Sequence, residues 1–249
     1  MPALRGGRPL KRWTWIGAFG PDVMLCVARA RIGPVGAAWW AVWDREAQRL
    51  TQRSLRRGGG IEVTARHARV PGTMELEVGD AAAVEVVSPH GAQYAWTRKR
   101  GGVRVRGTVS AGGRELTIDA AGLVDESAGY HARHTAWQWS AGVGVADTGE
   151  PVAWNLVAGL HDAPAASERT VWVSGEPHEV GPVAFDGLAG VTGLRFTAEA
   201  TRARRENLLV MASDYEQPFG TFTGELGGSD GPVRLREGWG VMERHDVRW

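Results

Sequence analysis

Few stretches of this chain hold a convincing helical period, because most of its apolar segments are short and cut off by glycine, proline, aspartate or asparagine. Segments of this length with apolar and β-branched residues read as strands, and glycine supplies the turns between them. Trp13 to Phe19 closes at Gly20-Pro21-Asp22, Val23 to Ile32 closes at Gly33-Pro34, and Ala37 to Trp43 closes at Asp44-Arg45. That spacing predicts a meander of antiparallel strands. The pattern continues through Ile61–Val70, Met74–Val78, Ala83–Val87, Gln93–Lys99, Val103–Val109 and Arg114–Asp119. In the second half it covers Tyr130–Gly142, Pro151–Gly159, Thr170–Val173, His178–Phe185, Gly193–Ala200, Asn207–Ala212, Gly220–Leu226 and Val233–Trp249. Glu46 to Leu55 reads as a short helix or a hairpin arm. The segment Ala120 to Gly129 reads as a loop between two halves, and no strict internal repeat is visible.

Many short strands need something large to bury, and twelve tryptophans supply it. A mostly β chain of this kind closes into barrels, and small barrels commonly hold one apolar ligand. The formal net charge of +1 gives no electrostatic footprint for nucleic acid or an anionic membrane. Arg202, Arg204 and Arg205 read as a solvated strand edge or loop. The single cysteine, Cys26, lies in an apolar run and reads as a core thiol. With no disulfide possible within the chain, no signal-peptide pattern and no spanning segment, a cytoplasmic location is expected.

The last strand is the most informative. Side chains alternate across a strand, so Trp239, Val241, Glu243, His245, Val247 and Trp249 share one face. That face is the apolar one and should look inward, carrying Glu243 and His245 with it, roughly 7 Å apart along the strand. A buried carboxyl and imidazole must be hydrogen-bonded, paired or shifted in pKa, which serves either to tie the sheet closed or to perform acid–base chemistry. Read as a strand, the segment after Tyr130 puts His131, Arg133, Thr135, Trp137 and Trp139 on one face, a pocket wall or an Arg–Trp surface stripe. His134 falls on the other face and reads as solvated. His131 and His134 therefore do not converge, and with no His-Glu-x-x-His helix no metal site is expected. Asp214 to Gly220 reads as a polar loop, with Tyr215 and Gln217 at a pocket mouth or in a plain turn. Walker, dinucleotide and nucleophile-elbow motifs are absent, and no cofactor is expected.

Several motifs together resemble a known family: Lys11-Arg12-Trp13-Thr14-Trp15, Asp125-x-Ser127-x-Gly129-Tyr130, Thr135-x-Trp137-x-Trp139-Ser140 and Trp154-Asn155-Leu156. Glu168-Arg169-x-Val171-Trp172-Val173-x-Gly175, Gln217-x-Phe219-Gly220-x-Phe222-x-Gly224 and Gly240-x-x-Glu243-x-His245-x-x-Trp249 complete the set. In their order over nearly the whole chain, they are similar to the domain-of-unknown-function family twenty-eight-oh-four, itself distantly similar to carotenoid hydratase-like and lipocalin-like proteins. The resemblance implies two lipocalin-like antiparallel β-barrel halves packed together, here residues 1–119 and 120–249, with a hydrophobic pocket as the working site. It also implies kinship with enzymes that add water to isoprenoids and with cyclases.

The expected partner is a hydrophobic small molecule. The first reading is a cofactor-free enzyme that hydrates, isomerises or cyclises an isoprenoid- or polyketide-like substrate, with Glu243 or Asp125 exchanging a proton and His245 relaying it or orienting the carboxyl. Tyr130, His131, Arg133, Trp137, Trp139, Asn155, Tyr215 and Trp239 are the expected lining. The other readings are a non-catalytic binder of an apolar metabolite and a purely structural β domain. Oligomeric state is not legible.

Overall fold

The computed structural model describes residues 1–208, 211–228 and 231–249. No helix occurs among them, and none therefore is long and apolar enough to cross a membrane. Beside a small hairpin, Leu4–Arg5 with Arg8–Pro9, the strands form two large antiparallel sheets.

The two sheets have the same topology. In the first, the chain starts centrally at Lys11–Phe19 and meanders outward through Val23–Ile32, Val35–Asp44 and Arg49–Arg56. It then crosses to the far edge at Glu62–Thr64 and returns through His67–Val70, Met74–Val78 and Gln93–Ala111. Arg114–Gly129 closes the circuit by pairing with the starting strand, and Ala83–His90 pairs separately with Gln93–Ala111. In the second sheet, His134–Ala146 is followed outward by Pro151–Ala158, Thr170–Val173 and Glu176–Glu179. The chain restarts at Phe185–Asp186 and returns through Gly190–Val191, Leu194–Leu208 and Met211–Leu226, and Val233–Arg248 pairs with His134–Ala146. Each half is a curled sheet whose last strand pairs with its first long one, which bears out the two lipocalin-like halves.

Several local expectations change. Ala120–Gly129 is not a loop: it lies within the Arg114–Gly129 strand, paired on both sides, and the chain passes between sheets at residues 130–133. Asp214–Gly220 is strand rather than loop, and Glu46–Leu55 resolves into a turn and a hairpin arm. The expected Asn207–Ala212 strand crosses residues 209–210, which lie outside the described residues, and its ends pair with each other across a hairpin.

Central strands bury both faces, which is why they read as unbroken apolar runs. Along Val23–Ile32, Leu25 and Val27 fill the curl of the first sheet, with Ile16, Val42, Leu76 and Val105. Met24, Cys26 and Ala28 point the other way, into a core shared by the sheets. The second sheet fills its own curl with Trp154, Phe196, Phe222 and Met242. The shared core is the aromatic one, joining Trp15, Phe19 and Trp43 to Trp139, Trp172 and Phe219. The expected ligand space inside a barrel is thus filled by side chains, and open space remains between the halves.

Candidate functional site

Two cavities open between the sheets, at opposite ends of the Lys11–Phe19 strand. One, of about 600 Å³, is bordered by Ala18–Val23, Val143–Val145, Trp172 and Trp239. The other, of about 490 Å³, combines aromatic walls with buried ionisable groups. Trp13, Trp15, Trp39, Trp137, Trp139 and Trp249 form its walls, and Lys99, Asp125, Glu168, Arg202, Tyr215, Glu243 and His245 face it.

Glu243 is on the inward face of the last strand, as the alternation predicts, and is only 7% exposed. Its Oε1 accepts a hydrogen bond from Trp137 Nε1 at 2.8 Å and its Oε2 one from Gln217 Nε2 at 2.8 Å. Burial pushes its carboxyl up to about 7, with the donors Trp137 and Tyr215 pulling the other way. The group is therefore poised to exchange a proton near neutrality.

His245 is inward but does not touch the Glu243 carboxyl through a hydrogen bond. Its Nε2 meets Ser213 Oγ at 2.8 Å, and its ring lies against Trp137 and Tyr215 at 4.5 and 5.1 Å between centroids. Burial and the nearby Arg202 charge push the imidazole down to about 4, so it is neutral at pH 7. The relay or orienting role expected for His245 has no contact to support it. Gln217 and Trp137 orient the carboxyl instead.

Asp125 lies on the opposite wall. Its Oδ1 accepts from Lys99 Nζ at 2.5 Å and its Oδ2 from Trp13 Nε1 at 3.2 Å. Lys99 also pairs with Glu168 at 3.2 Å, and Glu168 Oε2 meets His161 Nδ1 at 3.1 Å. Burial alone would raise the Glu168 carboxyl, but Lys99 and His161 outweigh it and hold the group down at about 2. The cavity thus has one carboxyl driven up and another driven down, the arrangement that separates an acid from a fixed counter-charge.

Of the expected lining, Trp137, Trp139 and Tyr215 are in place. Asn155 sits behind the wall, accepting from Trp139 Nε1 and donating to the Glu168 carbonyl, both at 2.8 Å. Tyr130 is buried under the N-terminal segment with its hydroxyl on the Pro2 carbonyl, and Arg133 is exposed. His131 is buried near the wall but outside the cavity lining, and Trp239 borders the other cavity. These four expectations rested on treating residues 130–133 as strand and on one inward face serving a single pocket. His134 is exposed and pairs with Asp246, as the alternation predicts.

Sequence reading missed Lys99, Glu168, His161 and Arg202. Arg202 is no solvated edge: it is 5% exposed, its guanidinium over the Tyr215 and Trp39 rings at 4.7 and 5.6 Å and bonded to Ser54 Oγ. The available signal was the alternation of Leu194–Leu208, which puts Arg202 on the face opposite Arg205. Lys99 and Glu168 left no local signal, since their partners Asp125, His161 and each other all come from different segments of the chain. His131 and His134 do not converge, in line with the sequence, and His131 meets His90 and His161 instead.

In comparisons with solved structures, the chain is similar to a Nitrosomonas europaea protein provisionally described as AttH (TM-score 0.54, 11% identity, 97% of this chain and 94% of that one covered). It is also similar to kievitone hydratase from Nectria haematococca (TM-score 0.50, 10% identity, 96% and 89% covered). At such identities the likeness shows the fold, and it agrees with the two curled halves. No curated protein matches the sequence. One family model does, over residues 56–249, leaving the Lys11–Trp15 motif outside the match. The chain belongs to the family described as Domain of unknown function (DUF2804).

Proposed function

We propose that this chain is an enzyme that performs acid–base chemistry on a hydrophobic small molecule bound between the sheets. The reaction class is hydration, isomerisation or cyclisation. The observation that carries this reading is Glu243, a desolvated carboxyl in an aromatic wall whose proton exchanges at about 7. In the hydration form, protonated Glu243 gives its proton to one carbon of a substrate double bond. The faces of Trp137 and Trp139 stabilise the positive charge that develops on the other carbon. A water molecule adds there and loses a proton to Asp125, whose oxygens retain lone pairs beyond those used by Lys99 and Trp13. A fold neighbour named as a hydratase supports this form. Exchange with solvent water then returns a proton from Asp125 to Glu243 and restores both groups for the next turnover.

The unpaired polar groups of the wall favour an oxygenated substrate, polyketide-like rather than a pure hydrocarbon. Trp39 Nε1, Trp249 Nε1 and Arg202 Nε are buried without hydrogen-bond partners. All offer a proton, and a buried donor left unpaired is costly, so carbonyl or hydroxyl oxygens of a ligand are their natural partners.

Native mass spectrometry against a panel of hydrophobic metabolites, followed by product analysis, tests the proposal. Oxygenated aromatics are expected to bind in preference to hydrocarbons of equal volume. Glu243→Gln is expected to keep binding and lose turnover by about 10²–10⁴-fold. Turnover at the wild-type rate in that variant removes the assigned role.

A further inference from the structure

Three of the chain's seven histidines, His90, His131 and His161, converge although no spacing in the sequence links them. His90 ends a strand of the first sheet, His131 lies in the crossing segment, and His161 follows a strand of the second sheet. Each presents a ring nitrogen within 4.8 Å of the other two. His131 and His161 are 1% and 5% exposed, and the Nε2 atoms of all three are buried with no hydrogen-bond partner. The rings of His131 and His161 lie nearly parallel, 5.4 Å apart, and His90 stands across both at 5.0 and 5.1 Å.

We propose that His90, His131 and His161 form a site for a divalent transition-metal ion of the zinc type, which staples the two sheets together where the chain crosses between them. The Nε2 atoms of the three imidazoles make no hydrogen bond among themselves or with any other group, although each neutral imidazole has one lone-pair nitrogen to offer. A shared cation satisfies all three at once. A triangle of 4.8 Å edge has its centre about 2.8 Å from each corner, so closing to a Zn–N bond of about 2.0–2.1 Å needs under about 1 Å of side-chain movement. Glu168 completes the pattern: bonded to His161 Nδ1, it fixes the tautomer that leaves Nε2 free, as carboxylates behind metal-bound histidines do. Lys11 and Arg8 are the nearby opposing charges. Lys11 Nζ is hydrogen-bonded to the His131 carbonyl and Arg8 to the His90 carbonyl.

The test uses the full chain, stripped with chelator and titrated with Co²⁺ and then Zn²⁺. The expected result is equimolar Co²⁺ uptake with the visible bands of a four-coordinate ion, displacement by Zn²⁺, and a Zn²⁺-dependent rise in unfolding temperature. His90→Ala, a half-buried position at a strand end, should lower affinity by about 100-fold or more, and Glu168→Gln by about 10–100-fold. A control variant lacking His67 and His134, the first half-buried and the second exposed and both paired with carboxylates, should bind as wild type. Absence of equimolar uptake by folded wild-type protein overturns the proposal. Uptake that survives His90→Ala and disappears in the control variant overturns it as well.

Discussion

At the scale of residues, the site is defined by what burial does to proton affinity. Glu243, raised from 4.5 to about 7, binds its proton more tightly in the folded chain than in the unfolded one. Its favourable contribution is complete below about pH 4.5 and is lost as pH rises through about 7. Glu243→Gln removes that loss, so relative to wild type the variant should gain about 2–3 kcal/mol in unfolding free energy between about pH 5 and pH 8. Urea denaturation at the two pH values measures it, and a pH-independent difference counts against a desolvated carboxyl. His245 is shifted the opposite way, from 6.5 to about 4. Its contribution is complete above 6.5 and is lost as pH falls through about 4. Glu243 has the opposite sign over that range, so the test is a difference: relative to wild type, the urea midpoint of His245→Asn should rise from pH 6.5 towards pH 4. Burial of Glu243 was legible because one alternating strand forces it inward beside Trp239 and Val247. The partners of His245 were not, since Ser213 comes from a different strand and register is a property of pairing.

At the scale of elements, strands with both faces buried carried the clearest signal, as in Val23–Ile32 and Pro151–Ala158. Their double burial also hid which face looks where. Long strands broken by glycine read as two: Gln93–Lys99 and Val103–Val109 are one strand, Gln93–Ala111, with a bulge between Gly101 and Val103. That bulge has a purpose in packing. The Trp172 indole of the second sheet lies flat where a Gly101 Cβ would stand, and its Nε1 donates to the Ala82 carbonyl at 3.1 Å. Gly101→Ala should destabilise the protein by about 1–3 kcal/mol through overpacking, and Trp172→Ala by about 3–5 kcal/mol through the cavity it leaves. If chemical denaturation finds Gly101→Ala neutral, the indole is not held against the first sheet as described.

At the scale of the whole molecule, one topology is used twice, and the two copies share an aromatic core. The repeat left no trace in the sequence because topology is set by strand order and closure, which many sequences satisfy. The shared core was legible as tryptophan content, though not as a seam between halves. Since that core joins residues of both sheets, the chain should unfold in one transition, with tryptophan fluorescence and far-ultraviolet circular dichroism superimposing. Two separated transitions would mean that the halves are stable without each other. The same docking desolvates Glu243, whose neighbours Trp137, Gln217 and Tyr215 all belong to the second sheet while Trp15 and Asp125 close the cavity from the first. The most direct measurement of the account is a ¹³C NMR titration of the glutamate Cδ signal that disappears in Glu243→Gln. The inter-sheet site requires a midpoint near 7. A midpoint at the ordinary value of 4.5 would show a solvated carboxyl and contradict it.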